Sequence, residues 1–202
     1  MLKIISPNSG WVEVIVGPMF SGKSDELIRR LHLASIGKKR VICFKPAIDN
    51  RFSDNKVVSR TGAEVESISV PSGSVWSNDS VLFNIKWEDY DVVGFDEIQF
   101  FDNSVVLLIE YLAGKGKRVI ASGLDTDFND VPFEVSSTLM AKSDFVDKLS
   151  AVCFLCGESA SKTYRLSYSK ERIVVGDNIY EARCRRCFYD GRPCLKDVPI
   201  VA

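Results

Sequence analysis

The chain has 202 residues, 46% of them hydrophobic and 26% charged, with six cysteines, one histidine and a formal net charge of −1 at pH 7. That length holds one sizeable core with a small accessory module and excludes two full catalytic domains, while the near-neutral charge excludes whole-surface attraction to nucleic acid. Because no apolar run is long enough to span a bilayer and residues 1–7 lack the apolar stretch of a secretory signal, the expected setting is cytoplasmic, with no membrane partner.

The first predicted element is a buried strand, Trp11-Val12-Glu13-Val14-Ile15-Val16, which runs into Gly17-Pro18-Met19-Phe20-Ser21-Gly22-Lys23-Ser24. This glycine-bounded octapeptide has the spacing of a phosphate-binding loop. Gly17 and Gly22 let backbone N–H groups converge on a phosphate chain, Lys23 adds a positive charge, and Ser24 offers a hydroxyl to Mg²⁺. A helix over residues 24–36 follows and points its positive end at the same anions. A chance Gly/Ser/Lys turn is the bland alternative, but the strand before the loop and the amphipathic run after it argue for a nucleoside triphosphate site. His32 falls on this helix beside Leu31 and Leu33 and is expected to be structural.

Further strands are predicted over residues 40–44, 90–95 and 117–122, interleaved with helical periodicity, which indicates an α/β fold with a parallel sheet covered by helices. Residues 50–80 are rich in Ser, Asp, Asn and Gly and read as a partly mobile loop with short strands. Asp96-Glu97 closes the apolar run Val92-Val93-Gly94-Phe95, placing two carboxylates at the C-terminal end of a buried strand, the edge that faces ligand in such sheets. One can hold Mg²⁺ while its neighbour orients or deprotonates a nucleophile.

After about residue 150 the pattern changes to short β-like runs and two C-x₂-C pairs, Cys153/Cys156 and Cys184/Cys187. Four thiolates on two such knuckles suit a tetrahedral structural Zn²⁺ that leaves no open position for catalysis. So small a unit needs such a staple or must lean on the first one. Cys43 and Cys194 have no partner at ligand spacing. Arg183, Arg185 and Arg186 form a basic cluster at the last knuckle, which reads either as a solvated face or as a contact to nucleic acid or phosphate.

The phosphate loop with its internal Pro-Met-Phe, then Asp49-Asn50-Arg51, Asp96-Glu97-Ile98-Gln99-Phe100-Phe101, Leu124-Asp125 and the two cysteine pairs, in this order, resemble the cytosolic zinc-containing (type II) thymidine kinases over roughly residues 10–188. The resemblance implies a P-loop, doubly wound, mainly parallel sheet (residues 1–150), a zinc-stapled lasso that closes over the nucleoside (151–194) and a tail (195–202). It also implies transfer of the ATP γ-phosphoryl group to the 5′-hydroxyl of thymidine, inhibition by thymidine triphosphate, and a homotetramer.

By the same likeness Glu97 is the catalytic base. Gly17 to Ser24 with Asp49, Asn50, Arg51, Asp96 and Gln99 serve ATP and Mg²⁺. Met19, Phe101, Leu124, Phe128, Phe133, Thr163, Arg172, Ile173, Val174, Val175 and Tyr180 surround the nucleoside. Val175 departs from the family, which has glycine there, and the added side chain bears on base selectivity. The loop Arg60-Thr61-Gly62 is closer to bacterial and viral members. A zinc-containing P-loop ATPase acting on nucleic acid is the competing reading, disfavoured by the charge balance, and an inactive nucleotide sensor is disfavoured because Lys23, Ser24, Asp96 and Glu97 are all present.

Overall fold

The computed structural model describes residues 9–48, 55–71, 80–167, 171–172, 176 and 178–191. Asp49, Asn50, Arg51, Ile173, Val174, Val175 and Cys194 lie outside the described residues.

The first unit is built from β1 (Trp11–Gly17), α1 (Lys23–Ile36), β2 (Val41–Pro46), β3 (Lys56–Val58), β4 (Glu64–Glu66), β5 (Ile68–Val70), β6 (Val92–Phe95), α2 (Ser104–Gly114), β7 (Arg118–Leu124), α3 (Glu134–Lys142) and β8 (Phe145–Lys148). Six of these strands form one sheet in the order β5-β2-β6-β7-β1-β8, parallel throughout. β1, β2, β6 and β7 are the apolar runs expected from the sequence. The two edges are less marked: β5 falls among the short strands expected within residues 50–80 and β8 in no expected strand, and both are short and only half-buried, so neither carries a long apolar run.

Alternation along the strands divides the core into two layers. Val12, Val14 and Val16 of β1 and Val93 and Phe95 of β6 face α2 and α3, whose Val105, Ile109, Leu112 and Leu139 are fully or almost fully buried. Ile15, Cys43 and Ile120 face the other way, onto Leu27, Ile28 and Leu31 of α1. Helices on both faces make the fold a doubly wound α/β sheet. Gly94 sets how closely α1 approaches, since a Cβ there would lie 2.8 Å from Leu31 Cδ1. Removal of Leu31 or Ile109 from water is worth about 2 kcal/mol each. No described helix is long and apolar enough to cross a membrane.

The second unit holds β9 (Ala151–Val152), β10 (Ser159–Ala160), β11 (Lys162–Arg165), β12 (Tyr180–Arg183) and α4 (Arg185–Asp190). β9 pairs with β10 and β11 with β12, both antiparallel. Its cluster of buried apolar residues is small, with Ala151, Cys153, Ala160 and Ala182 packed by Cys184 and Cys187. The unit therefore leans on the first through Lys162, which pairs with Asp130 at 2.5 Å, and through Tyr189, whose hydroxyl donates to Asp130 Oδ2 at 3.0 Å.

Candidate active site

β1 ends at Gly17, where a Cβ would lie 2.5 Å from the Leu149 carbonyl oxygen, and Gly22 caps α1 in the left-handed region (φ 79°), so the loop between them needs both glycines. Ser21 Oγ and Lys23 Nζ each donate to the Pro18 carbonyl at 2.8 Å, which folds the loop back on itself. Lys23 is buried, and burial lowers its pKa against the opposing charges of Glu97, Asp96 and Asp125.

Strand β7 lies between β1, which feeds the loop, and β6, which carries the carboxylates. From β7, Ser122 donates a short hydrogen bond to Asp96 Oδ1, and Ser24 at the start of α1 bonds the same carboxylate. Burial raises the Asp96 pKa, helped by the Glu97 charge, and the two hydroxyls act against this. A hydroxyl and a carboxylate in contact at the end of a phosphate loop are hard oxygen donors of the kind Mg²⁺ takes, so the residues present fit that ion.

Glu97 has φ 50° and ψ 45°, a left-handed conformation that costs a non-glycine residue about 1–3 kcal/mol. Gln99 holds it there, donating from Nε2 to Glu97 Oε2 at 2.5 Å while its Oε1 accepts from the Leu124 amide at 2.9 Å. Gly123 makes room for this bridge, because a Cβ would stand 2.4 Å from Gln99 Oε1. Gln99 thus fixes the direction of the Glu97 carboxylate as well as bordering the same space.

These groups line one cavity of about 440 Å³. Its floor is the stretch from Met19 to Ser24 with Asp96 and Glu97. On one side stands the β3–β4 hairpin. Its Arg60 stacks on the Phe20 ring at 4.3 Å, and Thr61 donates to Asp25. On the other side stand Leu124, Phe128, Phe133, Thr163, Arg172 and Tyr180. Arg172 is fixed by Asp127 at 2.8 Å and lies over the Phe133 ring, while Arg165 lies over Phe128 at 3.4 Å.

Of the residues expected around the nucleoside and described, Phe101 alone stands apart. It packs edge-on against Phe95 at 5.8 Å within the main core, and Phe100 lines the cavity instead. The single 3₁₀ turn over Ile98–Phe100 is the cause, since it points consecutive side chains in different directions. Gly17 and Pro18 support the loop from beneath the cavity. His32 is exposed on α1 and does not line it. Burial pushes the Cys43 thiol up. The β3–β4 hairpin joins the site, which the sequence does not mark; it shows only short strands and the loop Arg60-Thr61-Gly62, whose Gly62 adopts φ 87°.

The four cysteines at knuckle spacing meet with all Sγ atoms within 4.8 Å of one another, and Cys156 and Cys184 are 3.7 Å apart. A tetrahedron with Zn–S bonds of about 2.3 Å has edges of about 3.8 Å, so the donor set fits Zn²⁺. Cys184 caps α4 and its sulfur accepts from the Cys187 amide at 3.4 Å, which orients it. The expected basic cluster breaks up: Arg183 is buried against the Tyr164 ring at 3.3 Å and paired with Glu181, leaving Arg185 and Arg186 at the surface.

A family model described as thymidine kinase matches residues 10–188. It runs from the strand that feeds the phosphate loop to the helix carrying the last two thiols, and the chain belongs to the thymidine kinase family.

Proposed function

We propose that this thymidine kinase carries out the transfer with Glu97 as general base and with ATP held by the phosphate loop. Glu97 takes the proton of the thymidine 5′-hydroxyl, the oxygen bonds to the γ-phosphorus, and the bond to the β-phosphate oxygen breaks to release ADP. The observation that carries the reading is the juxtaposition of Glu97 and Lys23 in one cavity whose far wall is aromatic. Phosphoryl transfer needs positioning, charge neutralisation and a base within reach of the acceptor, and a pyrimidine's apolar faces suit aromatic walls. Mg²⁺ held through Ser24 and Asp96 neutralises phosphate charge when bound. Backbone amides of the loop and Lys23 hold the phosphates, and the lasso, stapled by a structural Zn²⁺, closes over the nucleoside.

Roles for Asp49, Asn50 and Arg51 at the phosphates and for Ile173, Val174 and Val175 at the thymine edge rest on the family likeness. So do the homotetramer and inhibition by thymidine triphosphate, whose base and phosphates span the adjoining acceptor and donor sites. Val175→Gly should move thymidine affinity and this inhibition together. A cytoplasmic setting is supported by cysteines arranged as metal thiolates, which a reducing compartment preserves.

The test is a coupled assay of the purified chain with ATP-Mg²⁺ and a panel of nucleosides, with and without polynucleotide. Turnover of thymidine in the absence of polynucleotide is expected. Turnover that requires polynucleotide, or none with thymidine, overturns the proposal.

A further inference from the structure

One buried cation in the cavity has no part in the chemistry just described. Lys45, near the end of β2, is only 3% exposed and lines the same cavity as Lys23, Asp96 and Glu97. Its place follows from the register. Phe44 of β2 pairs with Phe95 of β6, and the Asp96 amide donates to the Phe44 carbonyl at 2.9 Å, so Lys45 and Asp96 end neighbouring strands at the same edge. Phe44 and Phe95 both face α2 and α3, and alternation sends Lys45 and Asp96 to the face of α1 and the phosphate loop. Cys43, on that same face, feels both charges, Asp96 raising its pKa and Lys45 lowering it.

Adjacent strands are about 5 Å apart, which a lysine side chain covers, so an anion beside Asp96 is within reach of the Lys45 ammonium. In the strand order β2-β6-β7-β1, Lys45 and Lys23 flank Asp96 from opposite sides. Ile48 and the hairpin residues Lys56 and Val57 line the same cavity as Lys45.

Resting on the reading of this cavity as the donor site, we propose that Lys45 is a second phosphate-binding cation, contacting the triphosphate of ATP beside Asp96. The experiment compares wild type, Lys45→Met, Lys45→Gln and Lys45→Arg by calorimetric titration with ATP-Mg²⁺, by steady-state kinetics against both substrates, and by melting temperature. Lys45→Met should lower kcat/KM for ATP by about 10²-fold and weaken ATP binding at least about tenfold, leaving KM for thymidine within about threefold and melting little changed. Lys45→Arg should recover much of the loss, because it restores the charge. Lys45→Gln serves if the methionine variant does not fold. Near wild-type ATP affinity in either neutral variant overturns the assignment, as does an equal loss for both substrates accompanied by a fall in melting temperature. Should wild type bind ATP yet turn over no thymidine, the functional reading fails while ATP affinity still decides Lys45.

Discussion

The Met19 amide donates a 3.0 Å hydrogen bond to the Thr163 hydroxyl, joining the phosphate loop to a residue 144 positions later in the chain. Thr163 lies on β11, whose partner β12 leads into Cys184, so a continuous path of paired backbone runs from the thiol cluster to the phosphate loop. This buried hydroxyl ties the second unit directly to the phosphate loop, beside the contacts that Lys162 and Tyr189 make with Asp130. Thr163→Val preserves shape and leaves the Met19 N–H without this acceptor, a loss of about 1–3 kcal/mol. We expect kcat/KM for thymidine to fall by about tenfold or more, with ATP affinity nearly intact and Thr163→Ser close to wild type. Equal effects on both substrates would assign the bond to general stability.

Glu97→Gln keeps the shape and the contact with Gln99 but removes the basic oxygen. The expected result is a kcat lower by about 10²-fold to 10⁴-fold with ATP binding unchanged. Turnover close to wild type in the purified variant would mean that another group accepts the proton.

The order β1, phosphate loop, α1 was legible because alternation, a glycine pair and an amphipathic run all pointed the same way, and the carboxylates of Asp96 and Glu97 followed from where an apolar run stops. Phe101, expected beside the nucleoside, packs in the core instead, because a motif gives order along the chain and not direction. In the turn over Ile98–Phe100, adjacent aromatic residues part, one into the core and one into the cavity. The β3–β4 hairpin answers to the short strands expected within residues 50–80, but its place at the cavity is not legible, because its strands are three residues long and only Val57 is buried among them. Lys45 was passed over since a lysine in an apolar strand has no periodic signature, and its value comes from the register with β6.

One Zn²⁺ per chain should be found by metal analysis of protein prepared without chelator, held by Cys153, Cys156, Cys184 and Cys187. The cluster of small apolar residues around these thiols is too slight to order the second unit, so metal binding and local folding should be coupled. Cys184→Ser is expected to lose the metal, to become protease-sensitive after about residue 150, and to lose thymidine turnover before ATP binding. A native-like melting curve in the serine variant, or wild type without zinc, would refute this.

Stability should also carry a pH signature from the α1 face of the sheet, where Glu13 of β1 sits 5% exposed between Arg30 and Arg118, at 2.7 Å and 2.6 Å. Burial raises the Glu13 pKa, but hydrogen bonds from Arg118 and Trp11 and the charges of Arg118 and Arg30 outweigh it, and the net shift is downward from 4.5. Glu26, which shares Arg30, is drawn down to about 2 by hydrogen bonds from Arg29 and Arg30. Carboxylates with depressed folded-state pKa values contribute stability that is present above their unfolded value and lost as pH falls through the folded one. Glu26 is present in both proteins, so comparing wild type with Glu13→Gln isolates the part that Glu13 contributes. Glu13→Gln takes the carboxylate from Arg118 and leaves Arg30 with Glu26 and Asp147, and it should cost about 2 kcal/mol at pH 7. Urea unfolding of wild type and variant at matched pH tests this, since protonation of the zinc thiolates affects both chains alike and cancels in the difference. The gap should be full at pH 7, begin to close below about pH 4.5 and narrow steadily toward pH 2. A gap that stays constant over that range would show that Glu13 acts through packing rather than charge.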